Sequence, residues 1–240
     1  MPKQTDGLGY HGGEGAPLPR KAPPFMLSYA RPTRGTGADL EPVKRLFDDL
    51  HEEVGYISAD LKDAEAAGFD QEMPLGVVWQ RRLSYYLANC RVLVALTSAP
   101  FFDSDWCGKE WWIFNQRKVV TSPPLKPDEF PLVPVVWVPM SGGMHPVAKH
   151  LQYTNRHMPP SYARDGLLAL SRRGGTEYRT AVNHLATRIS ELMEHTTIGS
   201  GSLVKIESAP NAFKARREQP NWQGIQVWHD EGPDSPSDPE

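Results

Sequence analysis

Ser104-Asp-Trp-Cys-Gly-Lys-Glu110 is the stretch whose residue types and spacing come nearest to a reactive site. With Ser104 as the N-cap of a helix, Glu110 stands at i+3 from Cys107 and i+4 from Trp106. An indole, a thiol and a carboxylate then share one helix face. A carboxylate held there can orient hydroxyl groups or stabilise a growing positive charge. The plainer reading is a solvated or salt-bridged helix residue. Cys107 has no histidine beside it in sequence and reads as a small core residue rather than a nucleophile. His145, His150 and His157 are separated by four and six residues in a stretch with Pro146, Pro159 and Pro160. Helical metal ligands would sit at i, i+4 and no cysteine joins these three, so no metal site is expected. Gly142-Gly143 and Gly174-Gly175 belong to no phosphate-cradling motif.

The elements that must position these groups follow from hydrophobic periodicity. Phe25-Met-Leu-Ser28 with Tyr29 reads as a short strand ending at Ala30-Arg31-Pro32. Val43, Leu46, Phe47, Leu50 and Val54 recur along one helix face, as do Trp79, Leu83, Tyr86, Leu87 and Cys90, and then Tyr178, Val182, Leu185, Ile189 and Leu192. Val92–Leu96 is a continuous apolar run suited to a strand buried on both faces, and Leu132–Val138 is another. An acidic helix over 58–67 and a weak strand over 68–70 are further expectations. Strands alternating with helices imply right-handed parallel βαβ units in an α/β sandwich. A ligand site in such a sheet lies beyond the carboxyl ends of the strands. That rule puts 28–31 and 97–110 on one rim.

Composition bounds the rest. There are 20 Gly and 23 Pro among 240 residues, above the roughly 12% of ordinary chains. Ten of these fall in residues 1–24, which read as a disordered leader. Residues 198–240 read as a flexible tail with an acidic, Pro-rich end, interrupted by a short strand or docking segment over 222–228. One domain over 25–197 is expected between them. A net charge of -3 argues against a nucleic-acid partner. No apolar run reaches the roughly 20 residues of a membrane span, and residues 1–15 lack the apolar core of a secretory signal. Two cysteines, Cys90 and Cys107, cannot build a disulfide framework, so a cytoplasmic location is expected.

Phe25-Met-Leu-Ser-Tyr-Ala-Arg31 resembles the first-strand motif of Toll/interleukin-1 receptor (TIR) domains, an apolar pair followed by Ser-Tyr and a polar residue. Ser98-Ala-Pro-Phe-Phe-Asp-Ser104-Asp-Trp106-Cys107-Gly-Lys-Glu110 resembles their third-strand exit and the helix after it. Pro74-Leu-Gly76 followed by Trp79 and Leu83 is similar to the loop after their second strand. The resemblance spans about 25–193. More narrowly, Cys107–Trp111, Val135–Pro139 and Tyr162–Leu167 resemble the TIR-like proteins encoded beside FxSxx-COOH ribosomal peptides of actinomycetes.

The resemblance implies a flavodoxin-like three-layer sandwich with about five parallel strands. It also implies two activities to weigh. Many TIR domains cleave the nicotinamide–ribose bond of NAD, and Glu110 is the catalytic residue the motif selects. Ser28, Tyr29, Arg31, Trp79, Ser104 and Trp106 would then line the substrate, with NAD as substrate and no bound cofactor or metal. The alternative is a catalytically silent TIR-like scaffold for a peptide-modifying system, binding itself or protein partners through its helices and the loop at 72–76. The chain departs from the TIR pattern in a long segment before Gly68, a poorly marked second strand, and two prolines within 132–139.

Overall fold

The computed structural model describes residues 22–31, 40–58, 67–68, 79–126, 129–201, 203 and 205–214. The leader up to residue 21, most of the expected acidic helix, residues 69–78 and the segment 222–228 lie outside the described residues, as does the acidic end.

Strand β1 (Phe25–Ser28) pairs in parallel with β2 (Val92–Thr97), and β2 pairs in parallel with β4 (Leu132–Val136). Side chains alternate across the sheet, so its two faces feed two cores. Phe25, Leu27, Val92, Val94, Leu96 and Val135 pack on one side with α1 (Glu41–Ile57), α5 (Pro160–Arg173) and α6 (Thr176–His195). Met26, Leu93, Ala95 and Leu132 pack on the other with α2 (Trp79–Asn89), α3 (Ala99–Asp103) and α4 (Asp105–Asn115). The result is an α/β fold with helices on both faces of a parallel sheet.

Helices α1 and α6 bury the residues their periodicity marks: Val43, Leu46, Phe47, Leu50 and Val54 in α1, for example. Helix α2 buries Leu83, Tyr86 and Leu87 but leaves Trp79 at its start exposed, and Cys90 is buried just past its end. The five-residue α3 was not anticipated. It forms because Ser98 caps it, accepting a hydrogen bond from the Phe101 N–H at 3.2 Å, with Pro100 in its first turn. Helix α5 contains Gly166 at φ +80°, where a Cβ would run into the Trp137 carbonyl, so this close approach of backbones requires glycine.

About five parallel strands were expected; among the described residues the parallel sheet has three, plus a one-residue parallel bridge from Gly68 to Met26. That bridge rests on Leu27 N–H to the Gly68 carbonyl and Gly68 N–H to the Phe25 carbonyl, on the far side of β1 from β2. Chemistry closes the other edge. The bonds Leu93 N–H to Pro131 O and Trp137 N–H to Thr97 O set the phase of the β2–β4 ladder. Leu132, Pro134 and Val136 therefore turn their backbone groups outward. Pro134 has no N–H, the Leu132 N–H is taken by the Phe130 carbonyl, and the Val136 N–H donates to the buried Tyr162 hydroxyl at 2.9 Å. No outward donor remains to seed another strand. Strands β3 (Val119–Thr121) and β5 (Thr196–Ile198) instead pair antiparallel with each other.

The expected boundary at residue 197 is corrected by the packing. Residues 205–214 form a 3-10 turn (Ile206–Ser208) and an extension whose Ile206, Ala209, Ala212 and Phe213 are buried against α4. Phe213 meets the rings of Phe101, Phe102 and Trp111 at 5.5, 5.0 and 5.8 Å. So short a segment shows no periodicity of its own. Gly108 makes the docking fit: its carbonyl accepts the Ala212 N–H, and the Asn211 carboxamide lies where a Cβ would be. Asn211 cannot swing away, because it donates to Asp105 at 3.0 Å and accepts from the Phe213 N–H at 2.8 Å. Gly108→Ala is expected to undock 205–214 while leaving the sheet folded. Limited proteolysis read by mass spectrometry should then cut near residue 200 faster than in the parent; equal rates would refute the clamp.

Candidate functional site

Ser28 ends β1 on the face that α4 covers, and Ser104 starts α4 by accepting the Cys107 N–H at 3.3 Å. This cap aims the first two turns of α4 across the carboxyl end of β1. The Ser28 hydroxyl donates to Glu110 Oε2, joining residues 82 positions apart. Both are buried, Ser28 at 1% and Glu110 at 8% exposure. A buried carboxylate is costly unless hydrogen-bonded, so this contact is part of what lets Glu110 sit there.

Cys107 lies in the same nest. Burial pushes its thiol well above the ordinary value, the Glu110 charge adds to that, and the Ser104 and Ser28 hydroxyls oppose it. Cys90 is pushed up to about 11 by burial, partly offset by Arg117. Both cysteines are free and buried. Neither thiol is expected to react with iodoacetamide at pH 8 in the native protein, and both should in denaturant; intact-mass analysis reads this directly. Because both folded thiols titrate above the unfolded value near 9, the unfolded chain gives up these protons first. Their contribution to stability is therefore full below about pH 9 and is lost as pH rises through the folded values.

An aromatic and cationic rim flanks the nest. The rings of Trp79, at the start of α2, and Trp106 in α4 lie 4.9 Å apart at 57°. They are 38% and 37% exposed, so indole surface remains available to a planar group. The Arg31 guanidinium stands 6.0 Å from the Trp79 ring and the Lys109 ammonium 5.6 Å from that of Trp106. Lys109 also pairs with Asp105 at 3.0 Å. Asn211 and Lys109 hold the Asp105 carboxyl below its ordinary range.

Six of the seven residues expected at the site are thus gathered: Ser28, Ser104 and Glu110 in the nest, and Arg31, Trp79 and Trp106 on the rim. Tyr29 is not among them. One position beyond Ser28, it turns to the opposite face of the sheet and packs in the core that α1 and α6 cover, away from the substrate-lining role that the resemblance implies. Two-residue alternation along β1 already carried this signal. Lys109 was missed, although its i+3 spacing from Trp106 was readable. Trp111 is a core residue, 1% exposed. Among the described residues no three His, Cys, Asp or Glu side chains group so as to hold a metal ion, and no helix is long and apolar enough to cross a membrane.

Comparison of the chain with protein-family models, with curated proteins and with solved structures returns no significant match.

Proposed function

We propose that this chain is a TIR-like domain of the flavodoxin-like type that binds NAD at this rim and cleaves its nicotinamide–ribose bond. The observation that carries the reading is the Ser28–Glu110 hydrogen bond, which unites two separately chosen motif residues beside the Trp79–Trp106 pair. Nicotinamide is already cationic in NAD, so its departure needs no general acid. The C1′–N bond breaks, its electron pair stays with nicotinamide, and the ribose is left oxocarbenium-like. Glu110 offsets that charge and orients the ribose hydroxyls, while Ser28 holds the carboxylate in place. Water then adds to C1′ and gives up a proton, yielding ADP-ribose; attack by an adenine nitrogen would give a cyclic product instead. Trp79 and Trp106 supply stacking surface, and Arg31 a partner for the pyrophosphate. Two buried, free thiols suit a reducing cytoplasm.

A second reading, the catalytically silent scaffold, is favoured by one specific fact: Glu110 is only 8% exposed. The exposed Tyr56 and Ile57 at the end of α1 offer apolar surface for such a role. Incubation with excess NAD, following nicotinamide release by chromatography across a range of protein concentrations, separates the two. Release supports the enzyme; none in any assembled state overturns it. Light scattering tests the scaffold, which a strict monomer that captures no partner would overturn.

A further inference from the structure

A cavity of about 570 Å³ lies at the β4 edge of the sheet, the edge opposite β1. Its floor is the outer edge of β4, where Leu132, Val133 and Pro134 present apolar side chains, with Leu185 and Leu192 of α6 closing it. The space exists because no strand pairs on that edge among the described residues. Its volume falls in the range of small-molecule pockets, roughly 300–1,000 Å³.

The polar groups come from three segments that converge only in the fold. Lys126 and Glu129 precede β4, His150 and His157 lie in the stretch before α5, and His184, Arg188 and Glu191 project from α6. The two carboxylates are already engaged. Glu129 pairs with Arg188 and accepts the Lys126 N–H at 2.9 Å, and Glu191 takes the other Arg188 nitrogen at 3.3 Å. Burial would push Glu129 up, yet the Lys126 N–H and the Arg188 guanidinium hold it below its ordinary value, so this pair stays ionised. His157 accepts from Arg156 at its Nε2, which leaves its Nδ1 as a donor. His157 and His184 stand with ring centroids 5.8 Å apart. Both lining carboxylates are thus engaged, while the Lys126 ammonium and the imidazoles of His150, His157 and His184 can donate.

We propose that this cavity binds a small organic anion, an acidic head group on an apolar body, with the head between His150, His157, His184 and Lys126 and the body on the β4 edge. Binding strengthens as His150 acquires a proton, so affinity rises as pH falls from 8 to 6. Burial holds His150 below its ordinary value, and the bound anion draws it back up, so protons are taken up on binding. This proposal is independent of NAD chemistry and of Glu110.

The test uses the full chain and 8-anilinonaphthalene-1-sulfonate, a fluorescent anion with an apolar body. The imidazole resonances are followed by NMR during titration, at pH 6 and pH 8. The expected result is perturbation of His150, His157 and His184 together, with about tenfold tighter binding at pH 6. Octanoate should displace the probe and octylamine should not. His150→Ala/His184→Ala should weaken binding about tenfold or more, and Thr187→Trp should block it by filling the cavity without altering a charge. Displacement by octylamine as readily as by octanoate would overturn the proposal. So would binding that leaves the three imidazoles unshifted, or that survives both variants.

Discussion

Arg117→Ala is expected to lower folding stability by about 3–5 kcal/mol, the largest loss from any single substitution considered for this chain. Arg117 is 2% exposed and has no carboxylate partner among the described residues. Its Nε donates to the Gly199 carbonyl at 2.9 Å, and its Nη1 to the Cys90 and Leu87 carbonyls at 2.5 and 3.3 Å. It thus ties the carbonyl end of α2 to the end of β5, with its guanidinium against the Phe114 ring at 5.1 Å. Burial lowers its value to about 10, still far enough above neutrality to keep it charged. The helix end supplies negative dipole in place of a counter-ion. Truncation to alanine leaves three carbonyls facing dry space and opens a cavity. Arg117→Met restores volume but no donors, and should recover only part of the loss. Urea unfolding at constant m reads both. A methionine variant as stable as the parent would show that the carbonyl clamp contributes nothing net.

Glu110→Gln is expected to reduce nicotinamide release by about 10²–10³-fold, the scale on which a preorganised charge stabiliser acts. Glutamine keeps the shape and can still accept from Ser28, so the nest should stay folded; thermal melting within a few degrees of the parent is the control. On the proposed reaction the variant removes only the negative charge that would offset the oxocarbenium ion, so the loss should appear in kcat. Trp79→Ala, which removes stacking surface, should instead raise KM with a smaller effect on kcat. Ser28→Ala should sit between them, because it removes one hydrogen bond to the carboxylate and leaves the charge in place. Wild-type turnover in Glu110→Gln would end the assignment of Glu110, and absence of turnover in both proteins would leave the scaffold reading.

How far the site was legible differs residue by residue. The Ser104 cap and the shared face of Trp106, Cys107 and Glu110 follow from helix spacing alone. Their meeting with Ser28 could be placed on a common rim from the parallel-sheet rule, but not as a contact. Lys109 and the removal of Tyr29 were within reach of simple periodicity. Asn211 against Gly108 was not, since nothing in a ten-residue segment announces its docking partner. The three imidazoles of the cavity show the same limit: His157 and His184 are far apart in sequence and share no motif.

By itself, then, the sequence determined what short-range geometry can encode. Helices α1, α2 and α6 follow from apolar residues at a period of 3.6, β2 from a run buried on both faces, and the α4 start from a serine placed to cap it. The tertiary structure alone decided which edges close, which carboxylate is buried and where the chain packs back. Those outcomes depend on where backbone donors and side-chain volume fall after distant segments meet. Pro134 and the Tyr162 hydroxyl end the sheet at β4, Ser28 makes a buried Glu110 tolerable, and Gly108 makes room for residues 205–214. Each is a balance of hydrogen-bond satisfaction and steric fit between residues that have no fixed spacing along the chain.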